Sequence, residues 1–423
     1  MNLLRQKIEQ EIHERGPIPC SRYMELCLYD PEHGYYNRDT EQFGKAGDFY
    51  TSSDVHAVFG RLLARQFDEM WRVLGSPPRI TLKEFGPGRG LFARDVLDWS
   101  EKKFPDFFRA LRYVLIERSP ALCAQIKKAL SRHLETGKAV LHDEGYRSDE
   151  GCRSGEVLGV AERRHSLAQH VSAGTETQQQ RVPSGTAHAD AGVPSIRFAN
   201  EFFDALPVEI LSSQGSLRID ARGGHFVETW APPSPQELEF LDRYSVHPED
   251  GERIEVPLAA QENIDAMSSS LQRGFIVAID YGYTREEQLA GRHRGTLKAI
   301  RKHSVSANPY EAPGEQDITA DVNFTALAAA TEKQGMQTQK LITQSQFLMG
   351  IGEANQFADA FEDCRLPQEH AKVALQLKHL VTPAGMGESF RVLVASKGIE
   401  EEKTTDLTGL NFGRIRLLGG RKE

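Results

Sequence analysis

The chain has 423 residues, 39% of them hydrophobic and 26% charged, enough for one elaborated domain or two closely packed ones with a large core. Its 60 acidic against 51 basic side chains leave a formal charge of -9, so there is no basic field of the kind that binds nucleic acid by releasing counterions. The five scattered cysteines form no C-x-x-C pair and no zinc spacing with histidine, so reduced thiols, no metal centre and a bacterial-type cytoplasm are expected.

Residues 1–78 read as an N-terminal helical cap. MNLLRQKIEQEIHERG predicts a charged amphipathic helix without the apolar core of a signal peptide. Pro17, Pro19, Pro31 and Gly34 then bracket a short helix carrying Met24, Leu26 and Leu28. GKAGDFYTSSDVHAVFG predicts a polar loop and the start of a helix with Val55, Val58, Phe59, Leu62, Leu63, Phe67 and Met70 at helical spacing. Ser53 or Asp54 is placed to cap that helix and Gly75 to end it.

From residue 79 the pattern is strand, glycine loop, helix, strand: ITLKEF, GPGRG, LFARDVLDWSEK, RYVLIE. A helix (PALCAQIKKALSRHL) and a short strand near KAVLH complete the rhythm of a parallel α/β sheet. Residues 143–195 are polar and nearly free of aromatics, which predicts a flexible insertion. The core, expected over 79–142 and 196–398, resumes with SIRFANEFFDALP and GFIVAIDYGY. Two cap excursions, about 210–270 and 283–320, interrupt it; the first contains a hairpin over 215–231 turning at Gly223-Gly224. A helix near 323–335, a strand near 337–343, helices over 345–380, the strand FRVLVASK and a tail from 399 to 423 follow. No apolar run approaches the ~20 residues of a membrane span.

In an open parallel sheet, ligands sit beyond the carboxyl ends of the strands, where strand order reverses. Four polar clusters follow four strands: Glu84 to Gly90, Glu117 to Ser119, Asn200 to Asp204, and Asp280 to Gly282. Gly86, Gly88 and Gly90 allow a tight turn and close backbone approach, but a dinucleotide site would read G-x-G-x-x-G, and position 91 is Leu91. Glu84 at the strand end suits a cationic ligand better than a pyrophosphate, and Glu117 can accept both ribose hydroxyls. S-adenosylmethionine, with an ammonium, a sulfonium and no phosphate, has that pattern. The bland alternative for the glycines is a plain strand-to-helix turn.

Asn200, Glu201 and Asp204 stand where a methyl acceptor would be held. An arginine guanidinium has no free lone pair until its charge is localised, and the Glu201 and Asp204 carboxylates are suited to grip it and bias that charge. A helix cap is the competing role for Asp204. Asp280 and Tyr281 are placed to line the acceptor channel, and His303 is the histidine best placed to shuttle a proton, although a lone loop histidine is more often surface. Asp48, Thr51 and Ser52 are candidates to close over the cofactor, with a helix-capping loop as the equally natural alternative.

The segments YMELCLYDPEHGYY, GDFYTSSDVHAVFG, EFGPGRG, YVLIERSPAL, ANEFFDALPVE, AIDYGY, RGTLKAIRKH and PGEQDITADVNFTAL together resemble the MidA family of class I methyltransferases, whose mitochondrial members are complex I assembly factors that methylate an arginine. The resemblance spans almost the whole chain. It implies an α/β Rossmann-like sheet of seven strands with helical and β cap insertions. It also implies S-adenosylmethionine at Gly86, Gly88, Gly90 and Glu117, with Asp48, Thr51 and Ser52 facing the cofactor pocket. One departure stands out: where the family reads close to DITAHVDF, this chain has Asp321 and Asn323, which removes the residues of a proton-shuttling role.

The resulting expectation is a SAM-dependent protein methyltransferase acting on arginine, with homodimerisation left open and neither nucleic acid nor a membrane as partner. A SAM-fold assembly factor without turnover, a small-molecule methyltransferase and a nicotinamide oxidoreductase remain the alternatives.

Overall fold

The computed structural model describes residues 2–38, 57–143, 192–301, 304–306 and 308–412. Its central sheet runs β1 (Ile80–Phe85), β2 (Leu111–Ile116), β3 (Ala139–His142), β4 (Ser195–Asn200), β5 (Gly274–Tyr283), β6 (Gln337–Thr338) and β7 (Phe390–Lys397). In space the order is β6-β7-β5-β4-β1-β2-β3, with β7 antiparallel to both its neighbours and β1 to β5 mutually parallel. Two short strands pair off this path, Val322–Asn323 on β5 and Ile342–Thr343 on β7, so among the described residues the sheet has nine strands rather than the seven expected.

Both sheet faces are covered, which is why the central strand β5 reads as a nearly continuous apolar run rather than an alternating one. On one face the helices Val58–Val73 and Leu91–Lys103 pack against Leu82, Tyr113, Phe198 and Val277. Phe92 stacks on Phe198 with ring centroids 4.6 Å apart. The helices Leu258–Ser269 and Phe324–Lys333 cover the other face over Ala199, Ile276 and Ala278. Successive connections from β1 lead outward to β2 and β3, then return to β4 on its other side. The crevice between β1 and β4 is thus the switch point of the sheet.

The cap draws on distant parts of the chain. Ile18–Pro19 pairs with the hairpin strand Gly215–Arg222, which turns at Gly223-Gly224 into His225–Ala231 as expected, and Glu209–Ser212 and Ile254–Val256 complete the sheet. Leu4, Ile8 and Met24 of the first two helices share one core with Ile210, Leu217 and Ile318. The second excursion folds into its own three-stranded sheet from Lys298–Arg301, Ser304–Ser306 and Asp317–Thr319.

Three sequence boundaries move. The helix Val58–Val73 belongs to the core and not to a cap over 1–78, because its apolar stripe meets the central sheet. The strand expected over 337–343 splits into two short pieces, Gln337–Thr338 and Ile342–Thr343, each pairing with β7. The described part of the C-terminal tail, residues 399–412, is docked on the core: the Gly409 N–H donates to Gln66 Oε1 at 2.9 Å, and Thr408 Oγ1 donates to Glu69. The 143–195 insertion falls almost entirely outside the described residues. No described helix is long and apolar enough to cross a membrane.

Candidate active site

The four strand-end clusters converge at the switch point. β1 leaves the sheet through a loop in which Gly86, Gly88 and Gly90 all have positive φ, 64°, 54° and 74°, which side-chain-bearing residues adopt only with strain. A Cβ at Gly86 would lie 2.9 Å from Phe202 Cδ2, so this glycine also lets the β1 and β4 loops touch. One strand over, the carboxylate of half-buried Glu117 accepts hydrogen bonds from its neighbours' backbone N–H groups, Arg118 at 2.8 Å and Ser119 at 2.9 Å. The Gly88 N–H also points to it, and these donors offset part of the upward push of burial on its acidity. The second strand's acid is therefore locked onto the glycine loop. Ser119 caps the helix Pro120–Ala129 that follows.

Glu84 departs from the expectation. Its side chain lies inside the molecule at 4% exposure, accepting a 2.8 Å hydrogen bond from the Tyr113 hydroxyl, and burial pushes its pKa up to about 8. This contact gives the carboxyl a structural role in the sheet interior. Its direct contact is with the β2 strand.

At the end of β4 the chain turns through Glu201 at φ 50°, a left-handed conformation that costs about 1 kcal/mol for a residue with a Cβ. What holds it is Asp280. This side chain is fully buried at the end of β5, and its Oδ2 accepts from three consecutive backbone N–H groups, Phe202 at 3.1 Å, Phe203 at 2.9 Å and Asp204 at 3.3 Å. Asp280 was expected to line the acceptor channel. Its Oδ2 holds the loop that carries Asn200 to Asp204, which gives it a positioning role, and its Oδ1 accepts from the Tyr281 N–H at 2.9 Å. Tyr281 packs on Phe390 with ring centroids 3.9 Å apart, and its phenol is raised by burial and then by Glu201, Asp204 and Asp280, so it borders the same acidic group.

The acids themselves lie close together. The Asn200 side-chain amide donates to Glu201 Oε1 at 3.0 Å. Asp204 is 7% exposed, and its carboxyl is raised well above the usual range by burial, then by Asp280, Glu201 and Asp317. No helix starts at Asp204, which removes the capping alternative. Among the described residues, buried Asn200 Oδ1 and Asp204 Oδ1 both lack a hydrogen-bond partner. Orphaned buried acceptors are rare in folded proteins and mark places where a donor belongs.

Asp48, Thr51, Ser52 and His303 lie outside the described residues. The departures from the family pattern have structural uses. Asn323 caps the helix Phe324–Lys333, accepting from the Ala326 N–H at 3.0 Å, and donates to the Tyr244 carbonyl at 2.9 Å. Asp321 binds His293 Nδ1 and Lys298 Nζ, both at 3.0 Å. His293, whose ring also stacks on Tyr283, was passed over in favour of His303 because nothing local in GRHRG pairs it with an acid 28 positions away. Tyr29 and Tyr36 were missed as well. Burial and the Asp317 and Asp204 charges raise both phenols, placing these cap residues at the acids.

The residues present fit S-adenosylmethionine. Glu117, fixed by backbone donors, offers two oxygens to a ribose. The glycine loop exposes backbone beside it, and the orphaned Asn200 Oδ1 awaits a donor such as an ammonium at the β1–β4 crevice.

Comparisons with known proteins agree with this geometry. A protein arginine methyltransferase NDUFAF7 homolog, mitochondrial, of Drosophila melanogaster is 29% identical over 94% of this chain and 85% of its own length. The human mitochondrial protein arginine methyltransferase NDUFAF7 is 26% identical over 90% and 80%. The crystal structure of a COG1565 superfamily member from Burkholderia thailandensis bound to S-adenosyl-homocysteine superposes with a TM-score of 0.71 at 23% identity, covering 96% of this chain and 94% of the other. Residues 62–342, more than half of the sequence, match the Methyltransf_28 model, and the chain belongs to this family of S-adenosyl-L-methionine-dependent methyltransferases.

Proposed function

We propose that the methyl acceptor is an arginine side chain of a partner protein. The observation that carries this reading is the buried Asp204 carboxyl with one oxygen unpartnered, standing beside Glu201 on a loop clamped by Asp280. A group of acids this close favours a cation, and a guanidinium offers several coplanar donors to it. Bound S-adenosylmethionine supplies the electrophilic methyl group. The chain's residues hold the acceptor nitrogen near the in-line position and draw its positive charge toward the Glu201–Asp204 side, leaving a lone pair on the reacting nitrogen. The relatives' names as protein arginine methyltransferases support the same acceptor.

S-adenosylhomocysteine release should be measured with a bacterial protein extract and with the same extract freed of protein by ultrafiltration. Turnover confined to the protein fraction is expected; turnover sustained by the small-molecule filtrate would overturn a protein acceptor.

A further inference from the structure

Opposite the Glu201–Asp204 loop, the cap brings a further acid to the same place. Asp317 begins the strand Asp317–Thr319, paired through Ile300, and is 2% exposed. The residue directly after that strand meets the core loop, the Ala320 N–H donating to the Asp204 carbonyl at 2.9 Å. Tyr36 donates its hydroxyl to Asp317 Oδ1 at 2.9 Å, while the Tyr36 carbonyl accepts from Ser119 Oγ at 2.6 Å, beside Glu117. Tyr29 packs on Tyr36 with centroids 5.6 Å apart and donates to the Ala205 carbonyl at 2.8 Å. The cap thus ties the ribose-side acid, the two tyrosines and the acceptor loop into one wall.

We propose that Asp317 is an acceptor-binding residue, gripping a planar guanidinium from the cap side while Asp204 grips it from the core side, with Tyr36 holding Asp317 in place. Three observations lead here. Asp204 carries a buried, unpartnered oxygen. Asp317 is among the charges that act on it. The Tyr29 and Tyr36 rings pack on each other beside Asp317, and flat aromatic faces suit a delocalised cation. Two buried carboxylates near each other resist ionising together, and a cation between them relieves that conflict. A guanidinium, with donors on two edges, can meet both at once; an ammonium is a point charge without that geometry. The proposal deepens the arginine reading above and rests on it.

The test uses the full chain loaded with S-adenosylhomocysteine, with ethylguanidinium and ethylammonium as calorimetric probes. The wild type is expected to bind ethylguanidinium in preference to ethylammonium. Asp317→Asn should weaken ethylguanidinium binding about tenfold or more while leaving S-adenosylhomocysteine affinity unchanged, and Asp317→Glu should recover part of the loss. Tyr36→Phe, which removes only the hydroxyl that holds Asp317, should weaken the same probe about threefold. If Asp317→Asn loses S-adenosylhomocysteine binding through misfolding, Tyr36→Phe decides, and its unchanged probe affinity overturns the proposal. Equal ethylguanidinium affinity in the wild type and a cofactor-competent Asp317→Asn overturns this inference alone. No ethylguanidinium binding by the wild type overturns the arginine reading together with it.

Discussion

Asp280 Oδ2 accepts the backbone N–H of Phe203 at 2.9 Å, the shortest of three such bonds it makes to consecutive residues. Through it, a buried side chain at the end of one strand fixes the loop at the end of the next. Asp280→Asn keeps the size but can turn an amide N–H toward those donors. We expect a stability loss of about 1–3 kcal/mol in urea unfolding, the range for leaving a buried backbone donor without its acceptor. Turnover should fall more steeply than S-adenosylhomocysteine affinity, since the loop carries the residues proposed to hold the acceptor. An unchanged unfolding midpoint would contradict the clamp.

Gly86→Ala meets both a positive φ and a contact 2.9 Å from Phe202 Cδ2. The backbone term alone is about 1 kcal/mol. Phe202→Ala combined with Gly86→Ala should recover the part due to the contact and leave the backbone part. Thermal melts of the two variants separate the terms, and equal melting temperatures would show that Phe202 contributes nothing.

Glu117→Ala should weaken S-adenosylhomocysteine about 10- to 100-fold by calorimetry, the equivalent of losing charge-assisted hydrogen bonds. The core should be intact, because Glu117 is half-buried and its hydrogen bonds are to the backbone of its own turn and the glycine loop. Retained nanomolar-to-micromolar affinity equal to wild type would remove Glu117 from the cofactor site.

Glu84 gives a pH signature. Burial raises its pKa from 4.5 to about 8, so between those values the folded chain holds a proton that the unfolded chain releases. Its contribution to stability is fully present below about pH 4.5 and is lost as pH rises through about 8. Glu84→Gln keeps an amide near the Tyr113 hydroxyl and cannot ionise. The stability difference between pH 6 and pH 9 should therefore shrink by at least about 1.4 kcal/mol, one unit's worth, relative to wild type. An identical pH slope would mean that Glu84 is ionised in the folded chain.

The sequence carried most of the fold because each core element has a local signal. Helical spacing marked Val58–Val73, apolar alternation marked β1, apolar runs marked β4, β5 and β7, and the glycine pair marked the hairpin turn. The glycine loop and the four strand-end clusters were legible for the same reason, since a parallel sheet places ligands at carboxyl ends. The rest was hidden by long-range geometry. Glu84 looks like a free strand-end acid until Tyr113 is seen above it, and Asp280 looks like a channel residue until its backbone partners are counted. Tyr29, Tyr36 and Asp317 come from opposite ends of the cap, and nothing in their neighbours announces that they meet.

The most direct test of the central claim labels a bacterial protein extract with methyl-tritiated S-adenosylmethionine, using wild type and Glu201→Ala, followed by acid hydrolysis and separation of the methylated amino acids. Label recovered as methylarginine with the wild type, and reduced about tenfold or more with the variant, is the expected result. Label recovered in residues other than arginine, or equal methylarginine from both proteins, would contradict the account.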